Sequence, residues 1–150
     1  MKCERKADPD DPPSLFRSDA TDVARVARVI THASTTPAEV ETEDGRRWVL
    51  KFSGAGPGPY GLLVEHIGLA IARAFCAPVP ETRPLWLARD FPWMVGTDEF
   101  DAMLTRSAGW NLGIALVPEA RPATAAEVLA SDPAVLETIA RSDCLLANTD

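Results

Sequence analysis

The sequence predicts an α+β domain: an antiparallel sheet of about five strands with one main packing helix, followed by further helical segments. Three observations carry this expectation. Asp44-Gly45, a dipeptide favoured at positive φ in tight hairpins, joins two short strand-like stretches. Beyond a Gly/Pro-rich break at Ser53 to Pro59, apolar residues recur at helical spacing. Asp132-Pro133 sets an N-cap before a Pro at the first helical position, which predicts a helix from Pro133 to about Leu146.

Taken in order, residues 1–22 contain the cluster Asp8-Pro9-Asp10-Asp11-Pro12-Pro13, which offers little to bury and reads as a mobile leader. From Val23 to Thr31 the apolar period of three also suits a short helix. The β-branched content and the hairpin that follows favour a strand. His32 to Pro37 is a small polar loop, and Ala38 to Glu43 is a second strand. Arg46 to Phe52 is a third, with Trp48, Leu50 and Phe52 on one face and Val49 and Lys51 on the other. In the helix expected over Tyr60 to Phe75, Leu63, Ile67, Ala70, Ile71 and Ala74 form the stripe expected to lie on the sheet. Thr82 to Leu87 reads as a fourth strand. Thr97 to Ser107 reads as a short helix capped by Thr97, and Trp110 to Val117 as a buried strand. Arg121 to Ala130 is Ala-rich and reads as a helical turn or two.

The bulk properties bound the function. A chain of 150 residues with 46% apolar and 25% charged residues suits one soluble domain. A formal net charge of −7 argues against nucleic acid as a partner, although one Lys and backbone N–H groups suffice for a nucleotide. Cys3, Cys76 and Cys144 lack metal or dithiol spacing and read as free thiols, the latter two buried and inert. The N-terminus lacks the apolar run of a secretory signal, and no stretch reaches membrane-spanning length, so the chain is expected in the cytoplasm. His32 and His66 read as a loop and a helix-surface residue, and Trp86, Trp93 and Trp110 as core.

Three residues carry the candidate chemistry. Lys51 lies in an apolar strand, where its ammonium needs an anion or water. Glu65, on the following helix, sits among Leu62, Leu63, Val64 and Ile67. A strand Lys oriented by a helix Glu is the device protein kinases use to hold the α/β-phosphates of ATP. Asp150, after an apolar helix and Asn148-Thr149, suits a loop position near an acceptor hydroxyl.

The ordered segments Trp48-Val49-Leu50-Lys51-Phe52, Gly54-Ala55-Gly56-Pro57-Gly58, Leu63-Val64-Glu65, Ala77-Pro78-Val79-Pro80-Glu81, Asn111-Leu112-Gly113 and Asn148-Thr149-Asp150 resemble the HipA-like kinase domain family. The resemblance covers about Val23 to Asp150. It implies a kinase-like N-lobe with its hinge over 23–118 and the first helices of a truncated C-lobe over 119–150. ATP with Mg²⁺ would lie between the lobes, and a protein or lipid hydroxyl would be the acceptor. It further implies Lys51 as the phosphate-binding Lys, Glu65 as its partner and Asp150 as the catalytic Asp. Ser34 and Thr35 would lie in the phosphate-covering loop, and Asn111, Leu112 and Gly113 in the hinge beside adenine. That loop lacks the family's glycines, and the Mg²⁺ ligands expected after Asp150 are absent, so impaired catalysis is expected. The alternative is a non-catalytic pseudokinase fragment that binds a protein partner through an apolar surface around Leu136, Ile139 and Leu145.

Overall fold

The computed structural model describes residues 17–31, 35–92 and 97–146. Its elements are β1 (Val23–Val29), β2 (Ala38–Thr42), β3 (Arg47–Lys51), α1 (Gly58–Ala74), β4 (Thr82–Leu87), α2 (Asp98–Arg106), β5 (Gly109–Ala115), α3 (Ala125–Leu129) and α4 (Pro133–Leu146). The five strands form one antiparallel sheet in the order β1-β2-β3-β5-β4. Gly45, at φ 82°, supplies the left-handed residue of the β2–β3 turn, where a Cβ would be strained.

Residues opposite one another in an antiparallel pair share a face, so the register separates two sides. One side carries Val40, Trp48, Leu50, Phe52, Leu85 and Leu87, all essentially buried. Phe100 and Met103 of α2 close this core, Phe100 meeting Phe52 edge-on at 5.9 Å between ring centroids. The other side carries Arg28, Glu39, Arg47, Val49 and Lys51 on the first three strands. There α1 covers Lys51 and the neighbouring strands, Glu65 pairing with Lys51 and His66 Nδ1 lying 2.9 Å from Thr82 Oγ1.

Several expectations need correction. The leader was expected to run through residue 22, yet residues 17–22 are tied into the fold. Thr21 O accepts from Trp86 N at 2.8 Å, Asp19 O accepts from Asp44 N at 2.9 Å, and Arg17 pairs with Asp22. The apolar stripe of α1 faces outward: Leu63 is 54% and Ile67 48% exposed, while Leu62, Glu65, His66, Leu69 and Ala72 turn inward. Two polar pairs fix this rotation, because Lys51 and Thr82 on the sheet offer partners that only Glu65 and His66 satisfy. His66 is therefore no surface residue. Cys76 and Cys144 are exposed, not buried, and Cys76 sits at φ 64° just beyond α1. Thr97 precedes α2 without donating or accepting a side-chain cap.

Asp132 caps α4 as expected, its Oδ1 accepting from Ala134 N at 2.9 Å. The start of α1 is reached differently. Its N-cap is Pro57, with no side-chain cap and no acid in the first turn.

Candidate functional site

The site is built where β3 ends. Strand pairing places Lys51 opposite Leu112 of β5, and the chain then turns through Ser53 to Pro57 into α1. Two turns into that helix, Glu65 Oε1 accepts from Lys51 Nζ across a separation of 14 residues. Both side chains remain partly open to solvent, at 28% for Lys51 and 32% for Glu65. The pair is thus neither sealed in the core nor splayed on the surface. An ammonium has three donors and Glu65 takes one, so the others can reach an incoming anion.

Lys51 is also chemically singled out. The other lysines, Lys2 and Lys6, precede the described residues, and every other cation of the chain apart from histidine is Arg. The guanidinium forks on this part of the sheet are paired with carboxylates, one nitrogen each: Arg28 and Arg47 both contact the buried Glu39, and Arg25 contacts Glu41. A compact point charge at Lys51 differs from these planar forks in the ligands it suits.

Thr35 lies beside the turn that leads into α1. A Cβ on Gly56 would sit 3.3 Å from Thr35 Cγ2, so the β1–β2 connection and the Gly-rich turn share the sheet end where Lys51 emerges. Ser34 and Asp150 lie outside the described residues.

Asn111, Leu112 and Gly113 do not form an open hinge. All three are buried in the middle of β5, between β3 and β4. The Asn111 amide is fully used: Oδ1 accepts from Ser53 N at 2.8 Å, and Nδ2 donates to Ser107 O at 2.8 Å and Gly109 O at 2.9 Å. A Cβ on Gly113 would approach Leu85 Cδ1 to 2.5 Å, so this glycine serves packing. The side chains expected beside adenine are thus committed to strand packing and to the hydrogen bonds of the turn after β3.

What sequence reasoning missed is the polar cluster around that amide. Ser107, fully buried, donates to Met103 O at 2.8 Å and accepts from Gly54 N at 2.9 Å. The signal available was a buried Asn in an otherwise apolar strand, which needs partners for its whole amide.

Among the described residues, no group of three or more His, Cys, Asp or Glu is placed to hold a metal ion. No helix among them is long and apolar enough to cross a membrane. No family model, no curated protein and no solved structure matches the chain.

Proposed function

We propose that the Lys51–Glu65 pair is a phosphate-holding device in a HipA-like, kinase-type ATP site. The observation that carries this reading is the meeting of a strand ammonium and a helix carboxylate, partly open to solvent, at the end of a five-stranded antiparallel sheet. Glu65 orients the ammonium, and Lys51 presents its remaining donors to the phosphate oxygens. Val49, one step back along the same face of β3, gives an apolar floor next to that charge. Phosphate thus fits the residues present. For Mg²⁺ the described residues supply no ligand set, and no step is assigned through the metal. When bound, ATP supplies the transferable γ-phosphoryl group, and a protein or lipid hydroxyl is the proposed acceptor.

The test is equilibrium binding of ATP to the wild type and to Lys51→Ala by calorimetry. Loss of binding in the variant, with its fold intact by circular dichroism, supports the reading. Equal affinity in both proteins removes it.

A second reading is favoured by a separate observation. Leu63, Val64 and Ile67 on α1 and Ile139 and Leu145 on α4 are substantially exposed, and Leu136 is half-buried. Such a surface suits a binding module without phosphotransfer. It predicts concentration-dependent association and no phosphate transfer from Mg²⁺-ATP, whereas a monomer that phosphorylates an acceptor contradicts it.

A further inference from the structure

The turn between the two partners of the ion pair is clamped from the opposite side of the sheet. Lys51 and Glu65 are joined by a segment whose first amides have no ladder partner, because β3 ends at Lys51. Ser53 N donates instead to the Asn111 side chain at 2.8 Å, and Gly54 N donates to the Ser107 hydroxyl at 2.9 Å. The Asn111 amide acts here as a substitute strand, extending the β3–β5 pairing beyond the last backbone bond. From this anchored point Ala55 N bonds Phe52 O at 3.1 Å and Gly58 N bonds Ala55 O at 3.0 Å, two successive turns that deliver the chain into α1. Nothing else caps that helix, whose N-cap is a proline without a side-chain bond.

We propose that Asn111 and Ser107 are positioning residues that fix the Ser53–Gly54 turn and thereby hold Glu65 of α1 against Lys51. The inference rests on the phosphate-site reading for its functional meaning but concerns the geometry of the pair itself. Both clamp side chains are buried, at 4% exposure for Asn111 and 0% for Ser107, and every polar atom of each has a partner in this cluster. The site has no room for slack either. A Cβ on Gly54 would lie 2.6 Å from Met103 O and 2.7 Å from Ser107 Oγ, so the turn rests directly on the end of α2. A loop closed this tightly removes most of the freedom of α1 to rotate or slide relative to β3.

The measurement is the rate at which Lys51 is acylated by a small activated ester, followed by peptide mass spectrometry on the full chain without nucleotide. Glu65→Gln sets the rate of the unpaired amine, and Val40→Ala, in the core away from the turn, controls for general destabilisation. Ser107→Ala and Asn111→Leu are expected to raise Lys51 acylation by roughly three- to tenfold, the factor corresponding to one net hydrogen bond. Val40→Ala should leave the rate unchanged. Ser107→Ala removes a single hydroxyl and keeps the test informative where Asn111→Leu fails to fold. Wild-type acylation in Ser107→Ala despite a lowered melting temperature overturns the proposal, as does an unchanged rate in Glu65→Gln. Raised acylation in the clamp variants of a chain that binds no ATP upholds the positioning role and removes the nucleotide reading alone.

Discussion

Replacing Gly54 with Ala adds one methyl group at the tightest contact of the turn. The new Cβ would meet Met103 O at 2.6 Å, Ser107 Oγ at 2.7 Å and Arg106 Cβ at 2.9 Å. Gly54 is not in a left-handed conformation, so the cost is steric and not one of backbone strain. One of the three contacts is backbone and another is a hydroxyl already bonded to Gly54 N, so relief requires moving the turn or the end of α2. Overpacking of this kind costs about 1–3 kcal/mol, and the strained or broken Gly54–Ser107 bond adds about 1 kcal/mol. The entropy that Ala removes from the unfolded chain returns about 0.4–1 kcal/mol. A net loss of about 1–3.5 kcal/mol follows, equivalent to a fall in melting temperature of about 2–14 °C for a domain of this size. Urea denaturation followed by tryptophan fluorescence measures it. A midpoint at or above that of the wild type would refute the packing of this turn against α2.

Other expectations follow from the same contacts. Ala72 faces the sheet while Leu63 and Ile67 face solvent. Ala72→Glu should therefore cost more than about 2 kcal/mol, whereas Leu63→Ser or Ile67→Gln should shift stability by less than about 0.5 kcal/mol in urea titration. Glu39 is buried, but Arg28 and Arg47 are exposed enough to rehydrate once freed, so Glu39→Val should change stability by no more than about 1 kcal/mol by calorimetry. Glu127 receives the Arg121 guanidinium and closes a reciprocal cap with Thr124, which lowers its carboxyl from the ordinary 4.5 to about 2. With the folded-state value depressed, the contribution of this cap is fully present above pH 4.5 and is lost as pH falls toward about 2. NMR titration of the Glu127 carboxyl should show a midpoint well below 4.5, and Arg121→Ala should move that midpoint upward.

The strands were legible because their signals are local and mutually consistent. Trp48, Leu50 and Phe52 alternate with Val49, the Asp-Gly pair falls in the short connection between Thr42 and Arg47 with Gly45 at positive φ, and Asp132-Pro133 marks the start of α4 within a residue. The meeting of Lys51 and Glu65 was legible from element order alone, since a strand and the next helix pack as neighbours. The rotation of α1 was not. Its apolar residues spread around most of the helix, so periodicity offers competing phases, and two polar contacts to β3 and β4 decide between them. The partners of Asn111 were not legible for a related reason: a polar residue in an apolar strand signals a demand for partners without saying which segment supplies them. Those partners, Ser53, Ser107 and Gly109, are brought together only by the turn after β3 and the end of α2.

The chain offers an unusually clean direct test, because Lys51 is its only lysine beyond residue 6. An ATP acyl phosphate transfers its acyl group to an amine that lies against the bound phosphates, and the labelled peptide is then identified by mass spectrometry. The account predicts labelling of Lys51, suppressed by excess ATP and not by excess adenosine. Labelling confined to Lys2 and Lys6, or labelling of Lys51 that ATP does not suppress, would contradict it.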